Sequence, residues 1–129
     1  MTIPIRVLVV DDSAFIRKII SNMLASDPRI SIVGTARNGD EALAQVKALK
    51  PDVMTLDIEM PGMNGLDLAD HVVSIRPNVS ILLMSANFSR LDTIAARGFE
   101  FIEKPFSLDD LVDRITERLS EESLLRQSS

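Results

Sequence analysis

The sequence predicts an α/β protein: a doubly wound (βα)5 three-layer sandwich around a parallel five-stranded sheet of order 2-1-3-4-5. Three observations carry the prediction. Five short runs, most of them rich in Val, Ile, Leu or Phe, recur along the 129 residues. Segments with apolar residues three and four apart fill the gaps between them and follow the last. Proline and glycine punctuate the joints. Alternation of strand and helix implies a parallel sheet with helices on both faces. Of the two common doubly wound orders, five strands suit 2-1-3-4-5, which sets strands one and three side by side at the switch point.

The elements follow in chain order. The first strand is Ile5–Val10, and Phe15, Ile16, Ile19, Ile20, Met23 and Leu24 form the stripe of the first helix, closed by Asp27-Pro28. The second strand is Ile30–Ala36, and Leu43, Val46 and Leu49 mark the second helix, followed by Pro51. The third strand is Asp52–Asp57, and Leu66, Ala69, Val72 and Val73 mark the third helix, followed by Pro77. The fourth strand is Ser80–Ser85. A shorter helix over Ser89–Arg97 follows, capped by Gly98. The fifth strand is Phe99–Lys104. Leu108, Leu111, Val112, Ile115 and Leu119 then make the last stripe, with Ser107 placed to cap its start. Strands one, three and four are apolar almost throughout, as strands covered on both faces must be. Residues 1–120 form one domain. The polar end 121–129, EESLLRQSS, is expected to fray.

Composition narrows the function. A chain of this length is one domain and hides roughly two-thirds of its unfolded surface. It has no cysteine, which excludes disulfides and thiolate chemistry and fits a reducing compartment. A formal charge of −5 leaves no broad basic face, so direct nucleic-acid binding is not expected. No apolar run reaches the roughly 20 residues of a membrane helix, and MTIPIR lacks the core of a signal peptide. A cytoplasmic protein without membrane insertion is expected.

The strand ends carry the chemistry. Strand one runs into Asp11 and Asp12, strand three ends in Asp57, strand four in Ser85, and strand five in Lys104 followed by Pro105. The topology gathers these residues at one sheet edge, where ligands of such sheets bind. Two carboxylates about 5 Å apart repel by roughly 3 kcal/mol at an effective dielectric of 20. Three such pairs require that a carboxylate stay protonated or that a cation bind. Oxygen ligands without His or Cys favour Mg2+, or Mn2+, over zinc. Mg2+ takes one or two carboxylates and completes its shell with water and phosphate oxygens. An aspartate can be the nucleophile toward phosphorus, with a lysine and a hydroxyl holding the other phosphoryl oxygens. After strand three, LDIEMPGMNG carries Pro61, Gly62 and Gly65. This is turn chemistry, in which Asn64-Gly65 can supply positive φ and the backbone can approach a ligand.

Four motifs, VLVVDDS, TLDIEMPGMNG, LLMSA and FIEKPF, stand in this order, each at a strand end. Over about residues 5 to 120 the chain resembles the receiver domain of two-component response regulators, a flavodoxin-like fold. DDSAFIRKII and VGTARNGDEAL look most like the receiver of the chemotaxis methylesterase. Only the receiver reading is carried over, because the receiver resemblance takes up nearly all of these 129 residues and leaves no stretch to compare with that enzyme's long catalytic domain. The resemblance implies that Asp57 accepts phosphate from the phosphohistidine of a sensor histidine kinase or phosphotransfer protein. It implies that Asp12 and Asp57 bind Mg2+ through side chains, Asp11 partly through water, and Glu59 through its backbone carbonyl. Lys104 would pair with the phosphate, Ser85 would move to it, and Phe101 would be the switch aromatic. The Lys104–Pro105 bond would be cis. Glu59 and Asn87, at the cleft rim, would tune hydrolysis of the aspartyl-phosphate. From Ser85 to Lys104 the chain advances 19 residues, fewer than the family commonly has. The helix 4–strand 5–helix 5 output face and its dimer are therefore not carried over, and a monomer or weak homodimer is expected.

Plainer readings exist for each residue. Asp11-Asp12 alone could be a solvated loop or a helix cap, Ser85 a strand-end hydroxyl and Phe101 simple core. His71, the only histidine, is expected on the surface of the third helix. The charges of the last helix are expected to be a solvated face. Three functions remain. The first is a phosphorylation-controlled binding module that catalyses at most its own phosphorylation and slow dephosphorylation. The second is a Mg2+-dependent phosphohydrolase with an aspartyl nucleophile. The haloacid-dehalogenase type would need Asp-x-Asp-x-Thr after strand one, whereas here the pair is contiguous. The third is a phosphate-independent scaffold.

Overall fold

The elements seen in the structure, a computed structural model describing residues 4–60, 64–86 and 99–116, keep the expected alternation from the first strand to the fourth. They are β1 (Ile5–Val10), α1 (Ala14–Ala25), β2 (Ile30–Ala36), α2 (Gly39–Leu49), β3 (Val53–Asp57), α3 (Gly65–Ile75), β4 (Ser80–Ser85) and β5 (Glu100–Glu103). A final helix is described over 108–116. All strand pairs are parallel, and the order is β2-β1-β3-β4-β5.

Side chains alternate across a strand, so the sheet feeds two cores. Leu8, Val10, Met54, Leu56, Ile81 and Leu83 point to the side covered by α2 and α3, with Val46, Leu66, Ala69 and Val72. Val7, Val9, Val53, Leu82, Met84 and Ile102 point to the side covered by α1 and the final helix, with Ile20, Leu24, Leu111 and Ile115. The three central strands are buried over most or all of their length, and only Ile5 and Arg6 at the start of β1 are partly exposed, while β2 is half-buried at one edge.

Local chemistry sets the ends. Ser13 caps α1, Asn38 caps α2 and Asn64 caps α3, each side chain accepting from a first-turn N–H. Ser107 and Asp110 cap the final helix reciprocally, the Asp110 N–H donating to the Ser107 hydroxyl at 3.1 Å. α1 stops at Ser26, just before Asp27-Pro28. α2 ends on Lys50 in the left-handed region (φ 50), immediately before Pro51.

Three expectations change. β3 starts at Val53, because Asp52 spends its carboxylate on the Arg6 N–H (2.9 Å) as the lead-in to the strand. β5 is Glu100–Glu103, since beyond it the chain turns at the cis Lys104–Pro105 bond. The stripe of α1 is only partly core: Ile20 and Leu24 are buried, but Phe15, Ile16 and Ile19 are 71%, 37% and 37% exposed. At about 100° per residue, Ile19 and Phe15 lie roughly 100° and 140° from Ile20 around the axis, too far to reach the sheet. The helix expected over Ser89–Arg97, its Gly98 cap, Pro61, Gly62, Asn87, Leu119 and the tail 121–129 lie outside the described residues.

Candidate functional site

The site stands on the carboxyl edge of the sheet. β1 delivers Asp11, whose N–H reaches the Ala36 carbonyl (3.1 Å) and whose residue is 2% exposed. The Asp11 carboxylate accepts from the Ser13 N–H at 2.9 Å. Arg17, one turn into α1, donates to the Asp11 carbonyl at 2.7 Å. These bonds fold the Asp11–Ser13 turn tightly and leave Asp12 exposed beside the cleft.

β3 delivers Asp57, buried and in register with Met84. Its Oδ1 accepts from the Glu59 N–H at 3.0 Å and pairs with Lys104 Nζ at 3.0 Å. The loop after it is clamped by Gly65. A Cβ there would stand 2.9 Å from Ile58 Cα. That close approach, rather than the positive φ expected of Asn64-Gly65, is what requires glycine: Asn64 has φ −84, and the only positive φ among described non-glycine residues is at Lys50.

β4 delivers Ser85. Its carbonyl accepts the Lys104 N–H at 2.8 Å, which holds β5's exit beside β4's. Its hydroxyl donates to Glu59 Oε1 at 2.6 Å. Lys104 Nζ lies 3.8 Å from Glu59 Oε2 as well. The Glu59 side chain was expected only at the rim, yet it reaches across to both groups. Nothing in the sequence signals this, because the contact depends on a side-chain rotamer and spans 26 residues.

Asp11, Asp12 and Asp57 can each offer a carboxylate oxygen within 4.8 Å of the others. The Asp11 carboxyl rises from the ordinary 3.8 to about 6, mainly because burial penalises its charge. The Ser13 N–H and Lys104 pull it down, and Asp57 and Asp12 push it up. An all-oxygen set at this spacing, buried on one side and open on the other, fits a hard divalent cation. His71 is exposed on α3.

The remaining placements are simple. Phe101 is half-buried in β5, beside Leu83 in register and packed on the α2/α3-side core. By strand alternation Ser85 points to that same face. Asn87 is outside the described residues. A groove of about 380 Å³ rises from Asp57 and Lys104 between Ile16, Ile19 and Ile20 of α1 and Pro105-Phe106. Its α1 wall was expected to be core.

The family description "response regulator receiver domain" matches residues 7–116. Among curated proteins, the chain is similar to the protein-glutamate methylesterase/protein-glutamine glutaminase of Bacillus subtilis, 45% identical over 125 residues. It is similar to that of Halalkalibacterium halodurans, 49% identical over 105 residues. These matches take up 91% and 78% of this chain but 34% and 30% of the relatives. The chain thus spans about a third of the length of the curated relatives it matches. Among solved structures, the response regulator domain of Thermotoga maritima CheB superposes with TM-score 0.77 at 34% identity, covering 89% of this chain and 96% of that one. A chain of the CheX-CheY-BeF3-Mg+2 complex from Borrelia burgdorferi superposes with TM-score 0.81 at 30% identity, covering 91% of this chain and 90% of that one. No helix among the described residues is long and apolar enough to cross a membrane.

Proposed function

The chain belongs to the receiver domains of two-component response regulators, and from that premise we propose that Asp57 takes a phosphoryl group from a phosphohistidine donor. The observation that carries this is the pairing of Asp57 with Lys104 at 3.0 Å beside two further carboxylates at one sheet edge. An Asp57 oxygen attacks phosphorus as the P–N bond to the donor breaks, and with the donor's other ring nitrogen protonated the electron pair leaves on a neutral imidazole. Lys104 holds a phosphoryl oxygen, and the Ser85 hydroxyl donates to another. Asp12 and Asp57 side chains, Asp11 through water and the Glu59 carbonyl would hold Mg2+, which when bound offsets the negative charge gathered there. Burial keeps water from most of the nucleophile.

The donor approaches over the groove that ends on Asp57. Its walls, Ile16, Ile19 and Phe106, offer apolar surface to a partner protein. Ser85 and Phe101 report the charge on Asp57 to the α2/α3 side of the sheet, and output follows as a change in protein–protein contact. The name of the relatives suggests which: control of a protein-glutamate methylesterase or glutaminase. We place the protein in the cytoplasm.

Incubation with Mg2+ and acetyl phosphate tests the reading. The expected product is an acid-stable, base-labile adduct mapped to Asp57 and absent from Asp57→Asn. Rapid multiple turnover of assorted phosphate esters would favour the phosphohydrolase instead. Partner binding unchanged by Asp57→Asn would favour the scaffold.

A further inference from the structure

We propose that the Glu59 carboxylate occupies, in the uncharged protein, contacts that the incoming phosphoryl group needs, so that Asp57 is charged only as Glu59 is displaced. The inference rests on the receiver reading and adds a positioning role for a side chain.

The geometry is specific. A hydroxyl has one proton to give. Ser85 gives it to Glu59 Oε1 at 2.6 Å, so it cannot give it to a phosphoryl oxygen at the same time. Glu59 Oε2 also lies 3.8 Å from Lys104 Nζ, the cation paired with Asp57. One carboxylate thus presents two oxygens to the hydroxyl and the ammonium, as two oxygens of a phosphoryl group would. The backbone of Glu59 is held independently, by its N–H on Asp57 Oδ1 at 3.0 Å. Its side chain is 37% exposed and has room to swing outward. A phosphoryl group on Asp57 brings negative charge against Glu59 and competes for the same donors, so the exchange is driven by repulsion and by substitution together. Two contacts break and two form.

The test is a titration of Mg2+-loaded protein with beryllofluoride, followed by the amide resonances of Ser85 and Ile58. Glu59→Ala should lower the half-saturating concentration about tenfold, the factor of one hydrogen bond to a charged acceptor at a part-exposed site. Glu59→Gln, which keeps an acceptor and loses the charge, should fall between. The gain from Glu59→Ala should shrink to about threefold or less in a Ser85→Ala background, because the competition runs through that hydroxyl. An equal gain in both backgrounds would reduce Glu59 to simple charge repulsion and overturn the proposal. So would an affinity unchanged or weakened by Glu59→Ala. If the wild type itself fails to bind beryllofluoride, the receiver reading falls, and the Glu59 role falls with it.

Discussion

β3 contains two different kinds of structure within five residues. From Val53 to Leu56 it is sealed: every residue is buried, and Met54 and Leu56 are wholly inside the α2/α3-side core. At Asp57 the same strand enters a cluster of three carboxylates and one lysine. The middle of the sheet is apolar by alternation and gains from every methylene it hides. The edge holds like charges together, and burial there pushes the Asp11 carboxyl up. The stability of the first is what keeps the second assembled.

Substitutions separate the two regions. The largest effect is expected in the middle. Leu56→Ala should cost about 4 kcal/mol by urea unfolding, since the side chain is wholly buried and its truncation opens a cavity. A loss below about 1 kcal/mol would mean that the core repacks freely.

The next effect has the opposite sign and sits at the edge. Asp11 has a folded pKa of about 6, above its ordinary 3.8. The folded state therefore holds more protons than the unfolded state between those values. Stability of the metal-free protein should fall as pH rises from about 4 to 6 and stay level above. Asp11→Asn should remove that fall and raise stability at pH 7 by as much as about 3 kcal/mol, while weakening Mg2+ binding. In the wild type, Mg2+ affinity should drop as pH is lowered through 6, with a proton released on binding. Calorimetry across pH 5 to 8 checks the sign. An affinity independent of pH would place Asp11 outside the metal's reach.

Gly65→Ala acts where middle and edge meet. The added methyl would press on Ile58 Cα at 2.9 Å, and a cost of about 2 kcal/mol is expected from overpacking. Phosphorylation of Asp57 should slow with it, because the displaced backbone carries the Glu59 N–H. The smallest effect returns to the middle. The Thr55 hydroxyl is buried and has no hydrogen-bond partner among the described residues. Thr55→Val should therefore raise stability by about 1 kcal/mol and leave Mg2+ affinity alone.

The same contrast explains what could be read from sequence. Val7 to Val10 and Ile81 to Met84 announce buried strands because burial on both faces favours apolar runs, and the charged edge follows from the residues at or just past each strand's end. Side-chain reach was not legible. Periodicity groups Phe15, Ile16 and Ile19 with Ile20, but it does not say how wide a stripe the sheet will cover. Gly65 looked like a turn glycine because its crowding comes from Ile58, which only the packed structure brings close. The bridge from Glu59 to Ser85 and Lys104 is of the same kind.

The sheet is also a partition. The groove at Asp57 and Lys104 opens toward α1, Phe101 packs on the α2/α3 side, and Ser85 meets both through Glu59 at the shared edge. Under the proposed reading, a phosphodonor over α1 and a target on the α2/α3 side would address opposite faces of the same sheet.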